Sequence, residues 1–285
     1  MPNVIIIGSG PAGISAALYT QRANMQTTVI SNNSGAILKA DKIENYYGFA
    51  DAISGEELYK NGIEGAARLG VEFVDGEVVS LSYDGKFTVK TSDNSYIADG
   101  VILATGTSRL APTIKGLKDF EGKGVSYCAV CDGFFFRNRV VGVLGSGEYA
   151  LNEVNELKNI TENITVFTNG ETATVEFPEN VKVITDKIAE IKGEILLNSI
   201  VLENGEEISL NGLFIAYKTA GSTALAKKVG AMTDGNKIMV NENMETNIKG
   251  LYAAGDCTGG LLQIAKAVYE GAKAGTQMAK FLKTK

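Results

Sequence analysis

Short apolar runs recur along the chain, and most of them stop at a glycine. Residues 4–7 form the first run, Val-Ile-Ile-Ile, and it ends at Gly8, Ser9, Gly10, Pro11, Ala12 and Gly13. An apolar run of this length closed by a turn signal predicts a buried strand. Helix-forming residues fill 14–22, and 27–30 predicts the next strand. Further on the pattern predicts a helix near 55–69 and short strands at 71–74, 78–81, 87–90 and 96–98. An apolar strand at 101–104 then stops at Gly106. The opening pattern now repeats: strand 140–144, Gly145, Ser146, Gly147, helix 150–157, strand 164–167. Strands at 181–184, 195–197, 199–202 and 213–216 follow. The chain closes with an apolar strand after Gly250, the pair Gly255 and Asp256, and a long helix over 261–282.

Strands alternating with helices point to an α/β fold built on parallel sheets. The glycine spacing at residues 8–13 has a physical reading. Gly8 allows the tight turn, Gly10 lets backbone approach a pyrophosphate seated on the helix N-terminus, and Gly13 permits close helix–strand packing. The repeat at 140–150 means that the chain carries two such dinucleotide-type units. One part of the fingerprint is irregular. The acid that ends the second strand and binds a ribose is replaced by Ser31, Asn32 and Asn33, which can hydrogen-bond without charge. Asp256 stands after a strand and a glycine, the place of a ligand contact or of an N-cap on the last helix.

Composition narrows the classes. A length of 285 residues suggests about two domains. A net charge of −6 argues against nucleic acid as a partner. The lysines of the last helix, Lys266, Lys273, Lys280, Lys283 and Lys285, read as a solvated face. No apolar run approaches membrane-spanning length, so a cytoplasmic protein with no membrane partner is expected. There are three Cys and no His, so a closed four-ligand zinc site cannot be assembled from them. Cys128 and Cys131 are spaced as C-x-x-C, a redox pattern, and Asp132 directly follows as a candidate proton donor. Cys257 reads as a packed small residue.

In their order and spacing these motifs resemble the low-molecular-weight thioredoxin reductase-like flavoproteins. The matching pieces are residues 8–13, Glu44 and Asn45 with Gly48, Ala104-Thr105-Gly106, Cys128 to Gly133, Gly145 to Gly147, and Ala253 to Asp256. The resemblance implies two Rossmann-like domains of three-layer ββα type. The FAD-binding domain would be discontinuous, 1–116 and 248–285, around a C-x-x-C domain at 117–247. It implies that Gly8, Ser9, Gly10, Pro11, Ala12, Gly13, Ser31, Asn32, Gly35, Ala36, Ile37, Asn45, Val78, Ala104, Thr105, Gly106, Gly255, Asp256, Gln263 and Ile264 hold FAD. It also implies a homodimer, with Cys131 facing the flavin, Cys128 as the outward interchange thiol and Asp132 as acid/base.

One departure shapes the functional expectation. The family places a His-Arg-Arg cluster after the second strand of the second unit, for the 2′-phosphate of NADPH. Here that stretch, 165–172, is Thr-Val-Phe-Thr-Asn-Gly-Glu-Thr, without His or Arg. Each lost charge-assisted hydrogen bond forfeits about 1.5–3 kcal/mol. Glu148 and Glu171 add negative charge instead. The chain therefore looks most like the ferredoxin-dependent flavin thioredoxin reductases, with ferredoxin as donor and thioredoxin as acceptor. The alternatives are an NADH- or NADPH-dependent disulfide reductase with unusual contacts, a diflavin relative with a second FAD, and a flavin-bearing redox sensor without turnover.

Overall fold

The computed structural model describes residues 1–32, 35–106, 112–218 and 220–284. The chain divides into two compact units, residues 1–108 with 221–285, and residues 109–220. In chain order the first unit begins with β1 (Asn3–Ile7), α1 (Pro11–Arg22), β2 (Gln26–Ser31), α2 (Gly55–Arg68), β3 (Glu72–Asp75), β4 (Val78–Asp84), β5 (Lys86–Thr91), β6 (Ser95–Ala98) and β7 (Gly100–Leu103). The second unit holds β8 (Val125–Ser126), α3 (Ala129–Asp132), β9 (Val141–Leu144), α4 (Glu148–Leu157), β10 (Ile164–Phe167), β11 (Lys182–Ile184), β12 (Ile188–Gly193), β13 (Leu197–Leu202), β14 (Glu207–Ser209) and β15 (Gly212–Ile215). The chain then returns to the first unit with α5 (Ser222–Lys228), β16 (Thr233–Asp234), β17 (Lys237–Ile238), β18 (Leu251–Ala253) and α6 (Ile264–Lys283).

Each unit repeats one architecture. The first has a five-stranded parallel sheet, β18-β7-β1-β2-β3, and a three-stranded antiparallel sheet, β4-β5-β6. The second has the parallel sheet β11-β10-β9-β15-β8 and the antiparallel sheet β12-β13-β14. The central strands are covered on both faces, so they read as unbroken apolar runs. Val4, Ile5, Ile6 and Ile7 are all buried, as are Val141, Val143 and Leu144. The α/β, doubly Rossmann-like expectation holds. Small residues let α1 and α6 meet closely, since a Cβ on Gly271 would collide with the Ala12 carbonyl.

The unit boundaries differ from those expected. Residues 221–247 belong to the first unit, where Ser222 exchanges hydrogen bonds with Thr105. Residues 112–116 belong to the second unit. There the Ile191 N–H donates to the Lys115 carbonyl at 2.9 Å and Lys115 pairs with Glu190 at 2.8 Å. The strands β8, β12, β14, β16 and β17 and the helices α3 and α5 were not expected. The last helix starts at Ile264 rather than 261, because Gln263 is its extended N-cap and Leu261 and Leu262 are exposed. Among the described residues no helix is long and apolar enough to cross a membrane, and no group of three metal-ligating side chains is gathered.

Candidate functional site

The cofactor residues expected in the first unit come from distant stretches, and the sheet brings most of them to one edge. Strands β18, β7, β1 and β2 are neighbours and parallel, so their C-terminal ends lie side by side. Those ends carry Gly255 and Asp256, Ala104 to Gly106, Gly8 to Gly13, and Ser31 with Asn32; Asn33 lies outside the described residues. Ligands of open α/β sheets bind outside this edge. Backbone bonds tie the ends together: the Gly8 N–H donates to the Ile30 carbonyl at 2.9 Å, and the Ala104 N–H to Ile7 at 2.8 Å. Gly8 has φ +108°, and a Cβ there would strike the Ala104 carbonyl. On Gly13 it would strike the Gly8 carbonyl.

Gly10 is different, since a Cβ there would meet nothing within 4 Å. It N-caps α1 without a side-chain bond, Pro11 occupies the first helical turn, and no acid follows in that turn. The first N–H groups of a helix have no partner within it, and they attract anions. A hydroxyl cluster flanks this open turn. Ser9 Oγ donates to Ser31 Oγ at 2.7 Å and lies 2.8 Å from the Tyr59 hydroxyl. Tyr59 was not singled out in the sequence, because its place on α2 carries no motif. An open glycine turn, a bare helix N-terminus and clustered hydroxyls fit the pyrophosphate and ribose of FAD.

Asn45 and Gln263, 218 residues apart, meet directly, with Asn45 Nδ2 donating to Gln263 Oε1 at 2.8 Å. Ile264 follows Gln263 as the first residue of α6. Gly35 N-caps the single turn Ala36–Lys39, whose Ile37 is buried with Ile43 and Ile53. Val78 is a core residue of β4. Asp256 is not the N-cap of the last helix, which Gln263 supplies; it opens a short turn, Asp256–Thr258. Burial raises its carboxyl above the usual range, against the pull of Lys266 and with the push of Glu270. Lys266 corrects an expectation. It does not belong to a solvated face: its ammonium donates to the carbonyls of Gly255 and Gly259 at 2.8 and 2.6 Å and pairs with Glu270 at 2.9 Å. The glycines at 255, 259 and 260 fold this loop back over the first turn of α6.

In the second unit Cys128 and Cys131 form a disulfide, with their Cα atoms 5.3 Å apart. Cys128 N-caps α3 and its Sγ accepts the Cys131 N–H at 3.2 Å. A capping side chain turns inward over its helix, so Cys128 is 2% exposed while Cys131 is the exposed member. Cys128, expected as the outward thiol, is the buried member of the pair in this disulfide form. Ser126 Oγ accepts the Cys128 N–H at 3.1 Å and donates to Asp132 Oδ2 at 2.6 Å, which anchors the acid beside the pair.

The second glycine turn is closed by its own chain. Ser146 Oγ donates to Glu171 Oε2 at 2.8 Å, and the Tyr217 hydroxyl donates to Glu171 Oε1 at 2.6 Å. The Thr174 N–H donates to the Ser146 carbonyl at 2.8 Å, and Thr174 Oγ1 would lie 3.3 Å from a Cβ on Gly147. Burial pushes the Glu171 carboxyl up, but the bonds from Tyr217 and Ser146 and the charge of Lys218 outweigh it, so its pKa lies below the usual value. Burial and the Glu171 charge push the Tyr217 phenol up to about 12. Glu148 stands in the first turn of α4.

Two glycine turns in duplicated sheets, with a C-x-x-C disulfide in the second, can now be set beside known proteins. Residues 2–271 match the family described as pyridine nucleotide-disulphide oxidoreductase. The thioredoxin reductase of Treponema pallidum is 33% identical, over 99% of this chain and 97% of that protein. The chain belongs to this family, among its thioredoxin reductases. Its members are FAD-binding flavoproteins. Two solved structures are also similar. The atypical thioredoxin reductase TRi of Desulfovibrio vulgaris Hildenborough is 40% identical with a TM-score of 0.95, over 100% of this chain and 99% of that one. A ferredoxin-flavin thioredoxin reductase of Clostridium acetobutylicum is 31% identical with a TM-score of 0.73, over 100% and 99%.

Proposed function

We propose that the chain reduces the disulfide of thioredoxin with electrons from a ferredoxin-type iron–sulfur protein, and not from NADPH or NADH. One observation carries this reading: the second glycine turn, where a pyridine nucleotide would rest, is occupied by Glu171 and Thr174. A pyrophosphate seated there would displace the bond from Ser146 to Glu171 and face the carboxylates of Glu171 and Glu148. Like charges about 4 Å apart repel by about 4 kcal/mol at an effective dielectric constant of about 20. The stretch 165–172 offers no cation in return. The likeness to the Clostridium acetobutylicum enzyme supports the same donor class. Three cysteines cannot ligate an iron–sulfur cluster of Cys₄ type, so the donor is a separate protein.

Bound FAD supplies the conversion between one-electron delivery and the two-electron chemistry of a disulfide. The first unit's open glycine turn would seat its pyrophosphate, with Ser31 and Asn32 toward the ribose and Asp256 at the neighbouring strand end. The Cys128–Cys131 disulfide takes up two electrons and two protons and becomes a dithiol. Cys128 then attacks the thioredoxin disulfide, and Cys131 resolves the mixed disulfide. Asp132, held by Ser126, gives and takes the proton at the departing sulfur. Because Cys128 is buried, it must be uncovered before a protein disulfide can reach it.

The test is anaerobic reduction of the flavin-loaded protein by NADPH, NADH and reduced ferredoxin, side by side. Bleaching of the flavin by ferredoxin within a turnover time, and by neither nucleotide, is the expected result. Rapid bleaching by either nucleotide would overturn the reading.

A further inference from the structure

Beside the disulfide lies a buried acid that the chemistry above does not use. Glu153, on α4, is 1% exposed. Its Oε2 accepts the Ala129 N–H at 2.7 Å, and its Oε1 accepts from Asn152 Nδ2 at 3.5 Å. Ala129 follows Cys128 and opens α3. Both carboxylate oxygens act as acceptors. Burying a charge is costly even when it is hydrogen-bonded, so packing alone does not account for an acid here.

We propose that Glu153 is a positioning residue for the redox pair: it fixes the Ala129 end of α3 and keeps Cys128 a thiol in the resting reduced pair, so that its proton leaves only as it attacks. Backbone N–H groups and nearby positive charge favour a thiolate, and nearby negative charge disfavours it. Around Cys128 the Cys131 N–H points at the sulfur, at 3.2 Å. The adjacent Ala129 N–H is taken by Glu153, which sets a carboxylate one peptide bond from the cysteine. Stabilising a thiolate stabilises the reduced form and makes a dithiol a weaker reductant. Glu153 works in the opposite direction and favours electron transfer onward. The equilibrium in question balances: two electrons and two protons pass from one dithiol to the other's disulfide, and any thiolate formed releases its proton to solvent.

Three other titratable groups face this corner. Asp132 is held by Ser126. The Tyr149 phenol is pushed well above its ordinary value by burial and then by the Glu153 charge. The Tyr127 phenol, which bonds Glu121, is pushed up by burial and by that partner. Both phenols stay protonated up to pH 9, and all three groups are common to wild type and variants.

The experiment equilibrates the flavin-loaded wild type, Glu153→Gln and Glu153→Asp with dithiothreitol redox buffers, anaerobically, from pH 6 to pH 9. Acid quenching, alkylation and mass spectrometry count the Cys128–Cys131 disulfide. Gln keeps an acceptor for Ala129 but no charge; Asp keeps the charge. We expect Glu153→Gln to match wild type at pH 6 and to favour the dithiol at least threefold at pH 9. Glu153→Asp should stay within twofold throughout. A Gln effect that does not vary with pH, or an Asp effect as large as that of Gln, would overturn the proposal. Should Glu153→Gln not fold, the wild type decides alone. The alkylation rate of reduced Cys128, located by fragmentation, must rise at or above the ordinary thiol pKa of about 8.5. A midpoint below pH 7 would refute the role.

Discussion

Cys257 shares its residue type with the redox pair and none of its chemistry. It is fully buried, and its Sγ donates to the carbonyls of Ala254 and Leu103 at 3.3 and 3.5 Å. Burial pushes its thiol up to about 12, against weaker pulls from Ser222, the backbone and Lys266. Only a thiolate attacks disulfides or alkylating agents. N-ethylmaleimide added to the folded, reduced protein should therefore leave Cys257 unmodified until denaturant is added, and Cys257→Ala should change thioredoxin turnover less than twofold. Modification of Cys257 as fast as Cys131 would contradict this. The distinction between the cysteines was legible in the sequence, since C-x-x-C spacing is local information. The role of Lys266 was not. Helical periodicity says which residues share a face of α6, but not that the loop at 255–260 returns over that face and turns a surface lysine into a ligand of its carbonyls.

At the level of elements, α1 is specified by two glycines with opposite demands. A Cβ on Gly13 would collide with the Gly8 carbonyl, while one on Gly10 would point into open space. Gly13→Ala should therefore destabilise the apoprotein by about 1–3 kcal/mol, the range for overpacking a tight contact. Gly10→Ala should leave apoprotein stability within about 0.5 kcal/mol, as expected away from packed contacts, yet weaken FAD binding, because the added methyl would occupy the surface proposed for the pyrophosphate. Urea denaturation of the apoproteins and flavin titration separate the two effects. Equal stability losses in both variants would refute the division. The glycine motifs were readable because the turn, the anion seat and the helix packing each impose a residue type at fixed spacing. The antiparallel layer was less readable. Ile195 and Leu196 look like the start of a strand but are 79% and 63% exposed in the turn between β12 and β13. The chain passes so close there that a Cβ on Gly193 would collide with the Leu196 carbonyl, a constraint that an apolar pattern does not encode.

Across the whole chain, one architecture occurs twice, and its two glycine turns differ. Both units carry a parallel five-stranded sheet, an antiparallel three-stranded sheet and a glycine turn opening a helix. The turns differ in what stands before them. The first has free space at Gly10 and hydroxyls from Ser9, Ser31 and Tyr59. The second is bonded through Ser146 to Glu171 and Thr174 and has Glu148 in its helix's first turn. On the reading proposed above, an anionic dinucleotide is attracted to the first turn and repelled by the second, whether the dinucleotide is FAD or a pyridine nucleotide. Saturating the purified protein with FAD and removing the excess should therefore leave one flavin per chain, measured by absorbance against amino-acid analysis. Glu171→Ala would open the second turn but supply no cation, so its ratio should also stay at one. A ratio of two in the wild type would mean that Glu171 and Thr174 give way to a second cofactor, and the duplicated turn would have to be read as a second flavin site.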